Sequence, residues 1–171
     1  MKIATWNVNS LGVRWPQVEA WLAAEQPDIL ALQETKLVDE KFPREAVAAA
    51  GYQCVFSGQK TYNGVAILAK GRIEDVVRGM DDGVEDHEAR VISAQVGDVM
   101  IVNAYVVNGQ EVGAEKYRYK LEWLNRLRDF AARHVARGGT AFGMDGLGFH
   151  LRGDAELFDR SRGDGATSAV R

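Results

Sequence analysis

The sequence predicts an α/β domain built on a mixed β-sheet, and three stretches of the chain lead to that prediction. A strand–helix–strand unit occupies residues 2–33, strand-like runs fill residues 52–106, and an amphipathic helix covers residues 115–136. Parallel strands are expected in the first unit because a helical crossover joins them. Tight turns in the middle region favour antiparallel pairs, so the sheet should be mixed.

The strand–helix–strand unit at the N-terminus sets the direction of the sheet. Residues 2–8 are predicted as a strand, Trp15 to Glu25 as a helix with Pro16 in its first turn, and Ile29 to Gln33 as the second strand. Both strands should run the same way, so their carboxyl ends meet at one edge. Such edges are where α/β sheets bind ligands.

The middle of the chain changes from helical to extended patterning. Gly97-Asp98 is a tight-turn signal that predicts a hairpin. The apolar stripe of the helix that follows consists of Tyr119, Trp123, Leu124, Leu127 and Phe130. The predicted strands are Tyr52 to Phe56, Gly64 to Ala69, Ala89 to Val96, Val99 to Val106 and, more weakly, Thr140 to Met144.

Composition narrows the class of protein. The chain has 171 residues with 46% hydrophobic and 26% charged residues, enough for one domain with a real core. Cys54 is the single cysteine, which suits a reducing cytoplasm. No run approaches the roughly 20 apolar residues of a membrane helix. The net charge of −3 argues against a basic nucleic-acid coat, although residues 116–137 are locally basic.

Two polar residues follow the first two predicted strands. Asn7 ends the first, and Glu34 comes directly after the buried-looking run Ile29 to Gln33. A carboxylate at the exit of a buried strand is costly to desolvate unless a cation pairs with it. Because both strand ends lie at one edge, the two side chains can converge as part of a metal site. The alternative is that Glu34 pairs with Lys36 or caps a loop.

Four motifs, in order, resemble the exonuclease III branch of the endonuclease/exonuclease/phosphatase superfamily, over roughly residues 1–137. This branch comprises Mg²⁺-dependent DNA-repair nucleases that act at abasic sites and 3′ ends. The fold that the resemblance implies is a four-layer α/β sandwich. The motifs are Thr5-Trp6-Asn7-Val8-Asn9, Leu32-Gln33-Glu34-Thr35-Lys36, Tyr62-Asn63-Gly64-Val65-Ala66 and Asn103-Ala104-Tyr105-Val106-Val107-Asn108-Gly109.

The resemblance implies roles for individual residues. Glu34 matches the metal-binding glutamate and Asn7 the asparagine beside it, with Mg²⁺ as the metal and Mn²⁺ as an alternative. Tyr105 matches the tyrosine that orients the scissile phosphate; the alternative is a core tyrosine. The DNA-binding matches, on double-stranded DNA, are Arg90, Asn108 and Lys120. For Arg90 and Lys120 the alternative is a solvated surface charge.

The resemblance fails after residue 139. The family continues with Gly-Asp-x-Asn, where this chain has Gly143-Met144-Asp145-Gly146, so Asp145 is a candidate for the catalytic aspartate and a turn residue otherwise. The family's later Ser-Asp-His motif has no match, and the histidines at 87, 134 and 150 are predicted to be non-catalytic. We therefore divide the chain into a family domain at residues 1–145 and a divergent, poorly structured tail at 146–171.

Three functions remain open from the sequence. The first is a Mg²⁺-dependent DNA-repair nuclease, weakened because the C-terminal catalytic half is missing. The second is an inactive remnant or binding fragment, left by truncation or a frameshift. The third is a phosphodiesterase or phosphatase acting on another substrate. Half of a sandwich should also expose an apolar sheet face and strand edges, which predicts self-association.

Overall fold

The structure, a computed structural model, describes residues 1–135, 140–145, 155–159 and 167–170, with side chains described up to His134. The helices are α1 (Leu11–Glu25), α2 (Arg44–Ala49) and α3 (Glu115–Val135), with a short 3₁₀ helix at Asp39–Lys41. None of the described helices has the length and apolar character needed to cross a membrane. The strands are β1 (Lys2–Asn7), β2 (Ile29–Gln33), β3 (Gln53–Ser57), β4 (Val65–Ala69), β5 (Ile73–Arg78), β6 (Val91–Val96), β7 (Val99–Tyr105), β8 (Thr140–Asp145), β9 (Ala155–Asp159) and β10 (Thr167–Val170).

The first sheet has six strands in the order β10-β9-β1-β2-β4-β3. Its β1 and β2 are parallel, with Asn7 in register with Gln33, which confirms the predicted strand–helix–strand unit. Strand β4 returns antiparallel to β2 and pairs with β3. The carboxyl ends of β1 and β2 therefore lie side by side, as the sequence predicted.

The second sheet has four strands in the order β5-β6-β7-β8. Its β6 and β7 form the predicted hairpin, in which Val96 pairs with Val99 across Gly97-Asp98 and Gly97 has a φ of 60°. Strand β8 then runs parallel to β7. The carboxyl ends of β7 and β8 consequently share one edge of this sheet.

The two sheets pack face to face, and a helix covers each outer face. In β4, Val65 and Ile67 join the apolar layer between the sheets, whereas Ala66 and Leu68 pack on the other face in the cluster that contains α1. Trp123, Leu127 and Phe130 of α3 pack against β6 and β7. The mixed α/β sandwich is therefore confirmed, with four layers in the order helix, sheet, sheet, helix.

The expectation of a large exposed apolar sheet face is wrong for strands β1 to β7. None of the large hydrophobic side chains exposed in the described part of the chain lies in these strands. The physical reason is that the chain folds into two sheets, not one. Each sheet covers the inner face of the other, and α1 and α3 cover the outer faces.

Several local features differ from the sequence prediction. Helix α1 begins at Leu11, so Pro16 lies inside the helix and not in its first turn. On α3, Tyr119 is 44% exposed and lies outside the buried stripe. Strand β5 was not predicted, because its outward residues are charged and an edge strand buries only part of its surface.

Two strands lie beyond residue 145. Strand β9 pairs antiparallel with β1, with Leu157 opposite Ala4, and β10 pairs with β9 at the edge of the first sheet. The other residues of the predicted tail, including His150, lie outside the described residues. The division of the chain at residue 145 stays a prediction.

Candidate active site

Glu34 lies in a loop that backbone hydrogen bonds hold on two sides. On one side, the amides of Ser10 and Leu11 donate to the carbonyls of Glu34 and Thr35 over 2.8 and 3.0 Å. On the other, Lys36 N donates to the carbonyl of Asn63 over 2.9 Å. Glu34 and Lys36 both have a positive φ, 55° and 54°, which non-glycine residues seldom adopt. Such conformations persist only where the surroundings fix them, and they cluster at functional sites.

Gly64 lets the neighbouring loop approach this one. Its φ is +90°, and a Cβ added there would collide with Thr35 Oγ1. The amide of Thr35 donates to the Gly64 carbonyl over 3.1 Å. A side chain at position 64 would push the loop at 63–64 away from Glu34, which explains the glycine in this motif.

A hydrogen bond between the two sheets joins Glu34 to Tyr105. Tyr105 Oη donates to Glu34 Oε1 over 2.8 Å. Glu34 follows β2 of the first sheet, and Tyr105 ends β7 of the second. The Lys36 ammonium lies 3.7 Å from the same Glu34 oxygen, so the alternative pairing considered from the sequence is present beside the tyrosine contact.

Asn7 lies beside Glu34 through a short relay. Asn7 Oδ1 accepts from the amide of Asn9 over 3.0 Å, and Asn9 Oδ1 accepts from Lys36 Nζ over 2.6 Å. Lys36 in turn approaches Glu34. The structure therefore brings three of the predicted site residues, Asn7, Glu34 and Tyr105, to one edge of the sandwich.

A buried polar bridge between the sheets, to which the sequence analysis assigned no role, lies directly behind this site. Asn103 Nδ2 donates to the carbonyls of Leu32 and Ala66, each over 2.8 Å, and its Oδ1 accepts from Gln33 Nε2 over 2.7 Å. Asn103 and Gln33 are 0% and 1% exposed. Gln33 also donates to Thr5 Oγ1 over 2.8 Å. The sequence did contain a signal for this bridge, because Gln33 comes one residue before Glu34 and Asn103 comes two residues before Tyr105.

The predicted DNA-binding residues have different surroundings. Asn108 is exposed and its Oδ1 accepts from the amide of Gln110 over 3.0 Å. Lys120 lies against the same loop, because a Cβ on Gly109 would stand 2.9 Å from its Cδ. The Arg90 side chain, by contrast, is only 13% exposed and donates to Glu88.

Asp145 is placed by its backbone alone. It ends β8 in register with Tyr105, at the same edge of the second sheet. Its side chain lies outside the described residues, so its catalytic role stays a prediction.

The contacts of the two histidines with described side chains are to residues other than Asn7, Glu34 and Tyr105. His134 Nδ1 is 2.8 Å from the Phe130 carbonyl within α3, and the residue is buried. His87 is an exposed loop residue 3.7 Å from Glu85. Their predicted lack of a catalytic role is compatible with these positions.

The oxygen donors at the site suit a hard divalent cation. Among the described residues the contacts of the Glu34 carboxylate all involve Oε1, so Oε2 can serve as a metal ligand. No group of three or more His, Cys, Asp or Glu side chains in the described part of the chain is arranged to hold a metal. Mg²⁺ is commonly bound by one or two carboxylates and several waters, so Glu34 with the Asn7 amide fits it.

Comparison with known proteins gives a consistent result. The profile of the Endonuclease/Exonuclease/phosphatase family matches residues 4–142. Exodeoxyribonuclease III of Haemophilus influenzae is 37% identical over 114 residues, covering 64% of this chain and 43% of that protein. The chain thus spans less than half the length of this curated relative.

Solved structures match over a larger share of the chain. The 3′ phosphatase NExo from Neisseria, bound to a product DNA hairpin, is 46% identical with a TM-score of 0.82, covering 85% of this chain and 57% of that one. An AP endonuclease from Archaeoglobus fulgidus is 42% identical with a TM-score of 0.80, covering 85% and 56%.

Proposed function

Because the chain belongs to the endonuclease/exonuclease/phosphatase family and resembles its exonuclease III and AP endonuclease members, we propose that it hydrolyses phosphodiesters of double-stranded DNA at abasic sites or 3′ ends. The observation that carries the proposal is the 2.8 Å hydrogen bond from Tyr105 Oη to Glu34 Oε1. It brings a carboxylate and a phenol from different sheets to one edge. Phosphodiester hydrolysis needs charge neutralisation and positioning at one phosphate, and such an arrangement can supply both.

Each residue of the site has a proposed part in this reaction. Glu34, with Asn7 beside it, would hold Mg²⁺, or Mn²⁺ in its place. The cation would supply charge neutralisation at the phosphate and favour ionisation of water. Tyr105 orients the phosphate with its phenol, and Asp145 is the candidate base. The relay through Asn9 and Lys36 holds Asn7 and Glu34 in their relative positions.

DNA contact is proposed for the loop that follows Tyr105. Asn108 and Lys120 support this because Asn108 is exposed and Lys120 packs against the same loop. The resemblance assigns the same role to Arg90, whose guanidinium is held by Glu88. Lys and Arg contacts to phosphates fix the register of a protein on the duplex without reading its sequence.

Removal of a 3′ phosphate from DNA is the second candidate activity. It is favoured by the 46% identity to the 3′ phosphatase NExo, which was solved with a product DNA hairpin. The same Glu34 and Tyr105 arrangement would serve, because both reactions cleave a P–O bond at a 3′ position. An inactive remnant or binding fragment is the third candidate, because the Gly-Asp-x-Asn and Ser-Asp-His motifs of the family have no match in this sequence.

The proposal extends to partners and location. Self-association is proposed through strand edges, and it is supported by the edge strands β3, β5, β8 and β10, each of which pairs with one described strand only. Domain limits of 1–145 and a divergent segment at 146–171 are part of the same proposal. A cytoplasmic location is proposed from the lone Cys54.

The test uses the full chain on two duplexes, one with a single abasic site and one with a 3′ phosphate. Each is assayed with Mg²⁺, with Mn²⁺ and with chelator, beside Glu34→Gln as a near-isosteric control. The nuclease proposal predicts metal-dependent cleavage of the abasic strand that Glu34→Gln lowers by at least about 100-fold. Phosphate release without strand cleavage would favour the second candidate. Binding with cleavage no greater than that of Glu34→Gln would favour the remnant.

A further inference from the structure

The Arg90 guanidinium is engaged on three sides. Its Nε and Nη2 donate to the two carboxylate oxygens of Glu88 over 2.8 and 3.3 Å. Its Nη1 donates to the Tyr105 carbonyl over 3.4 Å, and its Cζ lies 4.9 Å from the centroid of the Tyr105 ring. A guanidinium stacked on an aromatic ring and held by a carboxylate fixes the position of both partners.

Glu88 links this arrangement to the loop that carries Glu34. Glu88 Oε1 also accepts from Asn63 Nδ2 over 3.4 Å. The carbonyl of Asn63 accepts the amide of Lys36 over 2.9 Å, two residues after Glu34. Asn63 is 5% exposed and has a φ of 54°, so the loop around it is tightly packed. These contacts run from Tyr105 through Arg90, Glu88 and Asn63 to the loop of Glu34. The hydrogen bond from Tyr105 to Glu34 completes the ring.

The charge state of Glu88 suits this task. Its hydrogen bonds to the Arg90 guanidinium hold the pKa of the Glu88 carboxyl below its usual range, despite the opposing effect of desolvation. Glu88 is thus ionised at neutral pH and can hold Arg90 by both oxygens.

We infer that Glu88 and Arg90 are positioning residues that fix the Tyr105 ring against Glu34, and that Arg90 acts through Tyr105 and not on the DNA backbone. The inference rests on the proposed nuclease function for its catalytic consequence. The structural claim, that Glu88 and Arg90 hold the Tyr105 ring in place, does not depend on the proposed activity. Loss of either residue weakens the Arg90 contacts with the Tyr105 ring and carbonyl, so we expect the phenol to be held less firmly against Glu34 and the reaction to slow while DNA binding persists.

The experiment compares Glu88→Gln, Arg90→Met and Arg90→Lys in the full chain. Glu74→Gln is the matched control, because Glu74 lies 3.1 Å from Arg72 in an exposed pair on β5. Three quantities are measured: the ¹³C resonance of the Tyr105 ring, assigned with Tyr105→Phe; kcat and KM on the abasic duplex; and the Kd for that duplex in chelator. The resonance does not depend on catalysis, so it decides the inference even if the wild-type chain does not cleave DNA.

The expected result is a shifted Tyr105 resonance in all three variants and none in Glu74→Gln. We expect kcat to fall roughly tenfold, which is the lower end of the loss seen when residues that orient a metal ligand are replaced. The Kd for the duplex should stay within about twofold of the wild-type value. Arg90→Lys should not restore kcat, because an ammonium cannot bridge both Glu88 oxygens and stack on the ring.

Two results would overturn the inference. One is a Tyr105 resonance that is unchanged in both Glu88→Gln and Arg90→Met. The other is weaker duplex binding in Arg90→Met that Arg90→Lys restores, since that pattern belongs to a phosphate contact. If the wild-type chain is inactive but the resonance shifts as expected, the proposed function fails and the positioning role stands.

Discussion

At the scale of single residues, Tyr105 and Glu34 form the contact on which the site depends. Their 2.8 Å bond joins a phenol to a carboxylate whose side chain is 20% exposed. Hydrogen bonds to charged groups contribute about 1.5–3 kcal/mol. We expect Tyr105→Phe to lower the free energy of unfolding by about 1–2 kcal/mol, and by clearly less when Glu34 is already Gln.

Urea unfolding of the two single variants, the double variant and wild type measures this coupling. Tyr119→Phe is the matched control, because Tyr119 is 44% exposed on α3 and should change the free energy little. Strict additivity of the Tyr105 and Glu34 changes would show that the bond does not contribute to stability.

Asn103 is the second residue with a measurable role. Asn103→Leu removes three hydrogen bonds in the layer between the sheets, those to the carbonyls of Leu32 and Ala66 and the one from Gln33 Nε2, which keeps its bond to Thr5 Oγ1. We expect a loss of roughly 2–3 kcal/mol in the free energy of unfolding. Replacing both amides by Leu should recover part of this loss, because removing both partners costs less than leaving one unpaired. If chemical denaturation shows the double variant to be less stable than Asn103→Leu, the bridge does not act as described.

At the scale of elements, Arg126 fastens the acidic loop at residues 79–90 to α3. Its guanidinium donates to Asp82 over 2.6 Å and to Asp86 over 2.9 Å, and the side chains of Arg126, Asp82 and Asp86 are 21%, 17% and 18% exposed. The hydrogen bond from Arg126 holds the pKa of the Asp82 carboxyl below its usual range. Folding lowers the pKa of Asp82, so the stabilisation from its ion pair with Arg126 is fully present above the pKa that Asp82 has in the unfolded chain. This stabilisation is lost as the pH falls through the lower pKa of Asp82 in the folded protein.

Hydrogen exchange of the loop amides tests this attachment. Arg126→Met should raise exchange at residues 81–88 about tenfold at pH 7, which corresponds to about 1.4 kcal/mol. In wild type the same loop should lose protection on acidification below about pH 4, the ordinary range of an Asp carboxyl. Arg128→Met is the matched control, since Arg128 is exposed and contacts its neighbour Asp129. Equal exchange in both variants would contradict the proposed attachment.

Helices and strands were predicted most accurately from the sequence where the pattern of hydrophobic residues is regular. The parallel pair β1 and β2, the β6–β7 hairpin and α3 follow from patterns within one segment, and the structure confirms them. The convergence of Asn7 and Glu34 followed from strand direction. The bridge at Asn103 could not be predicted, because an amide in an apolar strand gives no sign of which backbone carbonyls it will meet in another sheet. The start of α1 before Pro16 depends on the packing of buried Leu11 on the first sheet, which local propensity does not include.

At the scale of the whole molecule, the described chain forms all four layers although it spans 43% of its curated relative. Among the described strands, the edges of the two sheets are β10 and β3 in the first sheet and β5 and β8 in the second. In the first sheet, β9 pairs with β1 through residues 155–159, and this places the segment after residue 145 on an edge that β1 would otherwise leave open. Unpaired strand edges are templates for association between chains. We therefore expect the segment that contains β9 to affect self-association more than it affects the geometry around Glu34.

Ending the chain after Asp145 tests this view of the tail. We expect the shortened protein to keep the contact between Tyr105 and Glu34, because both lie within residues 1–145, and to self-associate at lower concentration than the full chain. Light scattering after size exclusion measures the association, and the ¹³C resonance of Tyr105 reports the contact. Leu157→Pro in the full chain is the matched variant, because Leu157 pairs with Ala4 and proline cannot donate to the ladder. It should reproduce the association of the shortened protein. If both proteins stay monomeric, β9 does not protect the β1 edge, and the segment after residue 145 is not what keeps the protein from associating.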